Sequence, residues 1–301
     1  MRTNYILKRI FSAITLIIIS LPGFGQASEK AEIVSVSDTL RIMTYNIRII
    51  TKADSGVCDW NNRKMEVAKL IYRHQPDILG VQEIVNYTQE EDLVKLLPAY
   101  NSVTKGRGNV EGTKGERLGI FYNKTRFKAI DNGFFFLSET PELASKGWDA
   151  ALNRICLWIK LYDKVTKRSI VYFDVHFDHK GTLARIESAK LITRKIKEIA
   201  GKDEAFCGGD LNASLDETKV FEALNSYLKD TKQLSETAPT GSLGTFNGWD
   251  FSTSTFPANE QLDYIFGKNI RVLNYDVLNE RTSNGTYPSD HFPVMIKVLF
   301  E

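Results

Sequence analysis

The sequence predicts an α/β protein whose β-sheet core carries polar functional groups along one rim. Short apolar runs typical of strands alternate with amphipathic stretches typical of helices. Several of the apolar runs end on an Asn, Asp, Glu or His side chain, which is costly in a core and suits a functional edge. The 301 residues are 43% hydrophobic and 25% charged, an ordinary globular composition, so the length allows one large domain or two small ones.

The elements follow from periodicity and from breakers. Helical patterns end at residues such as Pro76, and the strand-like runs are rich in Val, Ile, Phe and Tyr. The predicted helices span residues 62–74, 86–97, 182–200 and 218–227. The predicted strands span residues 40–47, 77–83, 117–123, 126–137, 153–162, 168–175, 204–206 and 261–266, with a last strand ending at Phe300.

The N-terminus has the pattern of a secretory signal peptide (1–25), followed by a polar leader (26–37). Basic residues precede a mostly apolar run over residues 10–21, and small residues lead to a predicted cleavage between Gly25 and Gln26. The run is short for a comfortable membrane crossing, although an uncleaved anchor is the alternative. We therefore expect a secreted or periplasmic protein with no stable membrane span in its mature chain.

Charge and cysteine content limit the partners. The formal net charge of +2 gives no strong positive field for binding a long polyanion. A local basic patch is compatible with this charge, so nucleic acid stays a possible partner. We expect a monomer. Three cysteines exclude a disulfide framework, and none has a spacing that suggests zinc. Cys156 and Cys207 lie in apolar runs and are expected in the core, whereas Cys58 lies in a predicted loop.

The stretch from Gly208 to Asn212 is the centre of the predicted site. A short buried strand leads into it, and Gly208 and Gly209 predict a tight turn. Residues i and i+2 of an extended chain point to the same side, so the Asp210 carboxylate and the Asn212 amide would face one small volume. That pair suits an activated water and a phosphate oxygen, although Gly-Asp-x-Asn is by itself also a good turn.

Polar groups of the same kind lie at the ends of other predicted strands and in one proline-flanked loop near the C-terminus. They are Asn46, Glu83, His176, Asp263, Asp290 and His291. Each has an alternative interpretation, such as a turn residue or a polar strand exit. A carboxylate at the end of an apolar run, as at Glu83, is costly unless it is solvated, paired or bound to a metal. The joint pattern predicts one constellation at the rim.

Three further residues are candidates for contacting a substrate. Arg154 suits a phosphate, because its guanidinium can donate hydrogen bonds to two phosphate oxygens at once. Trp148 lies close to Arg154 in sequence. The alternative is a tryptophan packed on the sheet edge and an arginine paired with a neighbouring acid. Trp249 belongs to a loop-rich, aromatic stretch over 235–260, whose aromatic side chains either contact substrate or anchor the loop.

Six motifs in this order resemble those of the endonuclease/exonuclease/phosphatase superfamily, the DNase I-like proteins. The motifs are Met43-Thr44-Tyr45-Asn46, Leu79-Gly80-Val81-Gln82-Glu83, Val175-His176-Phe177-Asp178-His179, Gly209-Asp210-Leu211-Asn212, Leu262-Asp263-Tyr264-Ile265 and Ser289-Asp290-His291-Phe292-Pro293-Val294. The resemblance implies a four-layer α/β sandwich, with two mixed β-sheets packed face to face and helices outside. It also implies a single domain over residues 38–301.

The resemblance implies a role for each polar group. Glu83 would bind Mg²⁺, with Mn²⁺ as the alternative, while Asn46 and Asp290 support the metal site. Asp210 would deprotonate the attacking water. Asn212 would position that water or a phosphate oxygen, His176 and His291 would contact the phosphate, and Asp263 would polarise His291. Phosphoryl transfer needs this kind of charge neutralisation and positioning more than covalent chemistry.

Several substrates are compatible with the resemblance, because this fold serves many phosphoesters. Abasic-site enzymes usually carry a Tyr where this chain has His176, and predicted export argues against chromosomal repair. We therefore favour a phosphohydrolase of small-molecule or lipid-headgroup phosphoesters. The alternatives are a secreted Mg²⁺-dependent nuclease and, from another class, a catalytically dead binding protein on the same scaffold.

Overall fold

Two mixed β-sheets packed face to face form the centre of the computed structural model, which describes residues 38–300. The predicted signal peptide (1–25) and polar leader (26–37) lie outside the described residues. The strands are β1 (Leu40–Asn46), β2 (Ile78–Ile84), β3 (Tyr100–Gly106), β4 (Arg117–Asn123), β5 (Phe127–Phe136), β6 (Ile155–Asp163), β7 (Ser169–His176), β8 (Glu204–Asp210), β9 (Lys229–Asp230), β10 (Thr240–Gly241), β11 (Asp263–Lys268), β12 (Ile270–Val277) and β13 (Val294–Phe300). The helices are α1 (Trp60–His74), α2 (Asn86–Leu96), α3 (Thr182–Ala200) and α4 (Thr218–Asn225).

The layers follow from the burial of apolar faces. One sheet has the strand order β10-β12-β13-β1-β2-β4-β3 and the other β5-β6-β7-β8-β11-β9. One apolar cluster draws on the inner faces of both sheets, and two further clusters lie between the sheets and the outer helices. The pairs β1–β2 and β7–β8 are parallel while most neighbours are antiparallel, so both sheets are mixed. The predicted four-layer α/β sandwich is confirmed.

The two longest helices have identifiable starts and stops. The Asp59 carboxylate accepts a hydrogen bond from the backbone N–H of residue 61 and caps α1, which ends before Pro76. The cap of α3 comes from a distant loop, because the Asp149 carboxylate accepts hydrogen bonds from the backbone N–H groups of Leu183 and Ala184 at 3.2 and 2.7 Å. This cap joins the segment before β6 to the helix that follows β7.

The predicted turn at Gly208 and Gly209 is wrong, because both glycines lie within β8. Glycine is needed at both positions because β7 approaches β8 closely there. A Cβ atom on Gly209 would overlap the carbonyl of Val175 on the neighbouring strand, and one on Gly208 would lie 2.6 Å from the Tyr172 hydroxyl. The glycines therefore let β7 and β8 run side by side up to Asp210.

Other differences are smaller. The sequence patterns missed β3 and β12, because much of β3 is exposed at the sheet edge and β12 alternates apolar with polar residues around a register shift.

Cys156 and Cys207 are buried core residues as predicted, and the three cysteines are free. Within residues 38–300, no helix is both long and apolar enough to cross a membrane.

Candidate active site

The strand register aligns three of the predicted residues. The parallel pair β7–β8 places His176 opposite Asp210, and the antiparallel pair β8–β11 places Asp263 opposite the same aspartate. We call these three residues the catalytic row, after the roles that the sequence predicts for them. Residues that are directly opposite on neighbouring strands lie close together, so the sheet itself positions the row.

Asp210 is the centre of the site and is almost fully buried. Its carboxylate accepts hydrogen bonds from Asn46 Nδ2 at 3.0 Å and from the backbone N–H of Asn212 at 2.8 Å. The Nε2 atoms of His176 and His291 lie 3.6 and 3.8 Å from it. Burial opposes ionisation, but the imidazoles of His291 and His176 outweigh it and lower the pKa of Asp210. The arrangement suits a carboxylate that accepts a proton.

His291 is held by a buried carboxylate. Its Nδ1 lies 2.8 Å from Asp263 Oδ2, and the same oxygen accepts a hydrogen bond from Thr245 Oγ1 at 2.6 Å. Burial disfavours a charged imidazole, but Asp263 and Asp210 outweigh it and raise the pKa of His291 well above its usual value. Phe246 packs against the imidazole with ring centroids 5.0 Å apart. His291 therefore suits a group that holds a proton towards bound phosphate.

His176 has a different partner, Glu116, which sequence reasoning missed. The Glu116 Oε1 atom lies 3.3 Å from His176 Nδ1, and its second oxygen accepts a hydrogen bond from Arg107 at 2.9 Å. Burial raises the pKa of Glu116, but the interactions with His176 and Arg107 lower it to about 2. The sequence signal that could have identified Glu116 was its position as an acidic residue directly before the apolar strand β4.

Two of the residues predicted to hold a metal, Asn46 and Glu83, are connected to Asp210 by hydrogen bonds. Asn46 Nδ2 also donates to Glu83 Oε1 at 3.1 Å, so one amide links the two carboxylates. The second Glu83 oxygen accepts from the backbone N–H of Ile49 at 2.8 Å. Asp290 lies 3.4 Å from Arg48, and its pKa is raised by burial, with the nearby Glu83 carboxylate adding to the shift.

This donor set fits a divalent cation. Glu83, His176 and Asp210 each offer a ligand atom within 4.8 Å of one another, and Asp290 adds a further carboxylate near Glu83. Carboxylate oxygens are the ligands that hard cations such as Mg²⁺ prefer, and several acidic groups gathered in a buried rim favour a bound cation. The predicted metal residues and the predicted catalytic residues therefore occupy one place.

Arg63 on α1 connects the loop that follows β1 with the loop that carries Asp290. The sequence analysis did not predict this residue as part of the site. It is 2% exposed and donates hydrogen bonds to the carbonyls of Ile47, Arg48 and Pro288. The first two belong to the loop that follows β1, and Pro288 belongs to the loop that carries Asp290. The guanidinium satisfies carbonyls from both loops at once, which fixes their relative position.

An open cavity of about 550 Å³ leads to these groups. Besides the residues described above, its lining includes Leu152, Arg154, His179 and Leu262. Asn212 lines it as well, and its Nδ2 donates to the carbonyl of Phe177 at 3.0 Å, leaving one amide hydrogen and the oxygen for a ligand. The volume suits a small molecule.

Of the three predicted substrate contacts, only Arg154 lines this catalytic cavity. Trp148 packs against the apolar cluster beneath α3 and α4, so its ring contributes to the hydrophobic core. Trp249 packs on Phe251 and on the Arg63 guanidinium, at 6.1 and 5.5 Å between centres. Trp249 therefore fits the alternative of an aromatic that anchors its loop, and Trp148 fits the alternative of a packed tryptophan, whereas Phe246 from the loop of Trp249 reaches the cavity.

The fold and the cluster of carboxylates and imidazoles define the class of protein, a phosphoester hydrolase. The chain belongs to the endonuclease/exonuclease/phosphatase family, whose model matches residues 43–291. Members of this family are phosphoester hydrolases that depend on a divalent metal.

Solved structures and a curated relative resemble most of the chain. A family member from Bacteroides thetaiotaomicron is 35% identical with a TM-score of 0.80, covering 87% of this chain and 98% of that one. A mannosyl-6-phosphatase from the same organism is 34% identical with a TM-score of 0.79, covering 87% and 100%. An uncharacterized protein of Acanthamoeba polyphaga mimivirus is 27% identical, covering 82% and 94%.

Proposed function

We propose that this protein is an exported, Mg²⁺-dependent phosphohydrolase that cleaves a small phosphoester by in-line attack of a water deprotonated by Asp210. The observation that carries the proposal is the position of Asp210, within 3.8 Å of two imidazoles and hydrogen-bonded to the amide that also holds Glu83. A buried carboxylate that can accept a proton, next to groups that can donate hydrogen bonds to a phosphate, suits water attack on phosphorus.

Each residue has a distinct task in this mechanism. Asp210 accepts the proton of the attacking water, and Asn212 orients that water or a phosphate oxygen. His291, charged beside Asp263, donates a hydrogen bond from Nε2 to the phosphate, and His176 donates to a second oxygen. A divalent cation held by Glu83 and Asp290, Mg²⁺ or alternatively Mn²⁺, would supply neutralisation of phosphate charge.

A sugar phosphomonoester is the first substrate to test. The similar mannosyl-6-phosphatase supports a monophosphate, and the cavity of about 550 Å³ suits a small molecule. The cavity also carries apolar lining at Leu152 and Leu262, which keeps a lipid-headgroup phosphoester as the alternative substrate. The near-neutral charge of the chain gives little support to a nuclease.

Export and monomeric state are part of the proposal. The charged start, the apolar run over residues 10–21 and the small residues before Gln26 support a cleaved signal peptide and a secreted or periplasmic location. Mass spectrometry of the protein from the extracellular or periplasmic fraction tests this, because a mature chain that begins near Gln26 is expected. An intact Met1 in a membrane fraction would instead indicate an anchor.

The activity test compares three substrates with and without EDTA. Purified protein is assayed with mannose 6-phosphate, sphingomyelin and single- and double-stranded DNA, and each EDTA-treated sample is then supplied with Mg²⁺ or Mn²⁺. We expect turnover of the sugar phosphate that EDTA abolishes and Mg²⁺ restores. Turnover of DNA alone would make the protein a nuclease. No metal-dependent turnover of any phosphoester would leave a binding protein on the same scaffold.

A further inference from the structure

One wall of the catalytic cavity is held together by a residue outside the catalytic set. The Asp178 carboxylate accepts hydrogen bonds from four backbone N–H groups, those of residues 151–152 and 180–181, at 2.9–3.2 Å. Burial raises the pKa of Asp178, but these N–H groups outweigh it and hold the pKa well below its usual value. The carboxylate therefore joins the segment of Leu152 to the segment of His179, which both line the cavity.

Arg154 uses its guanidinium within this wall. Its Nε lies 3.5 Å from the Asp178 carboxylate, and its Nη2 lies 3.1 Å from His179 Nδ1. Its Nη1 is buried, 3.9 Å from Glu116. The residue is 4% exposed, so Arg154 borders the cavity but offers little surface to a ligand.

The contact between Arg154 and His179 determines the tautomer of the imidazole. An arginine guanidinium can only donate, so Nδ1 of His179 must accept, and the proton of the neutral ring is then on Nε2. Burial and the neighbouring guanidinium lower the pKa of His179, in keeping with a neutral ring. The ring is exposed and lines the cavity, so its Nε2–H is a fixed donor that a ligand can reach.

The position of His179 indicates which part of a substrate it meets. His179 lines the same cavity as His176, whose Nε2 is next to Asp210, so a substrate whose phosphate is bound at Asp210 can extend towards His179. The nearby apolar lining at Leu152 can pack against a carbon skeleton, whereas the Nε2–H needs an oxygen acceptor. A hydroxylated alcohol such as a sugar provides both features, whereas an unsubstituted phenyl group has no oxygen beyond that of the ester bond.

We propose that His179 selects the leaving group of the substrate by donating a hydrogen bond from Nε2 to a hydroxyl or ring oxygen of a sugar-like alcohol. Arg154 acts as a positioning residue that fixes the tautomer of His179. This inference rests on the proposed phosphohydrolase function and adds the substrate class and two residue roles to it.

The kinetic test compares two phosphomonoesters that differ in the leaving group. The substitution His179→Ala should lower the ratio of kcat/KM for mannose 6-phosphate over kcat/KM for phenyl phosphate about tenfold, the effect of losing one hydrogen bond of about 1.4 kcal/mol. His179→Gln keeps an N–H donor and should recover part of the ratio. Lys180→Ala, the exposed next residue, is the matched control and should keep the wild-type ratio.

The outcomes separate this inference from the function it rests on. An unchanged ratio in His179→Ala, or an equal fall for both substrates, would overturn the selective role while the phosphohydrolase function stands. Failure of the wild-type protein to hydrolyse either ester would remove both. Partial rescue by glutamine with an unchanged Lys180→Ala control would support the hydrogen bond.

The role of Arg154 has a readout that does not depend on activity. Long-range ¹H–¹⁵N correlation spectra of protein labelled at histidine should show His179 with an unprotonated Nδ1 and a protonated Nε2. Arg154→Lys keeps the positive charge but loses the planar fork, and should shift His179 towards a tautomer mixture. A protonated Nδ1 in the wild-type protein would overturn the assignment of the tautomer.

Discussion

Two histidines flank the same aspartate, and the difference between their partners separates their roles. His291 lies 2.8 Å from Asp263, a carboxylate that is 0% exposed and is also fixed by Thr245. His176 lies 3.3 Å from Glu116, which is shared with Arg107. Both Nε2 atoms are nearly equidistant from Asp210, at 3.8 and 3.6 Å.

The comparison shows how neighbours decide what one residue type does. Among the described residues, the only charged hydrogen-bond partner of Asp263 is the His291 imidazole, so Asp263 interacts with a protonated His291 without sharing that interaction with another cation. Glu116 is shared between the His176 imidazole and the Arg107 guanidinium, so it does not hold His176 alone. We expect the site to depend unequally on the two histidines, and each of the following predictions tests that inequality.

The largest effect should follow Asp210→Asn, because both imidazoles face this carboxylate and the attacking water needs it as a base. We expect kcat for the preferred phosphomonoester to fall about 10³- to 10⁴-fold, with an unchanged circular dichroism spectrum. Asp216→Asn, an exposed residue of the loop that follows β8, should keep full activity. If Asp210→Asn kept a tenth of the wild-type kcat, Asp210 would not be the base.

Replacing each histidine in turn should reveal the inequality directly. We expect His291→Asn to lower kcat about 10³-fold and His176→Asn about 10²-fold, because the first removes a fixed positive charge and the second a less firmly held donor. Steady-state kinetics measures both, and His74→Asn, on α1 outside the catalytic cavity, serves as the control. Equal losses, or a larger loss at His176, would contradict the comparison.

The charge of His291 should appear in the pH dependence. Asp263 and Asp210 raise its pKa, so the imidazole stays charged below that raised value and loses its proton as pH rises through it. Asp263→Asn removes the larger of these contributions. We expect the alkaline limb of kcat against pH to move about one unit or more towards lower pH, together with a lower maximum. An unshifted limb would assign it to another group.

The smallest effect should follow Glu116→Gln. The amide has nearly the same shape and can still accept from Arg107, so only the charge opposite His176 is lost. We expect kcat to fall about tenfold or less, with the alkaline limb in its wild-type position. A loss as large as that of Asp263→Asn would show that the two partners are equivalent.

Much of the site was predictable because its groups stand at strand ends. Asn46, Asp210 and His176 each close an apolar run, and a sheet brings the ends of neighbouring strands to one edge. The structure gathers them as predicted, and their catalytic roles stay predictions. The glycines before Asp210 were misinterpreted, because local sequence cannot distinguish a turn from a place where a neighbouring strand comes close.

The missed residues depend on contacts between distant parts of the chain. Glu116 becomes the partner of His176, and Thr245 the partner of Asp263, only when distant segments of the chain come together in the fold. No local sequence pattern indicates these pairs. Trp148 and Trp249 illustrate the same limit. A loop tryptophan is equally suited to core and ligand, and only the packing of its ring decides.

The alignment of His176, Asp210 and Asp263 across β7, β8 and β11 has a practical consequence. A displacement of one residue between these strands would turn alternate side chains to the opposite face, so a misaligned chain would contain every required group and still be inert. Specific activity after refolding would then count correctly paired molecules, a quantity that circular dichroism, which sees only strand content, does not distinguish.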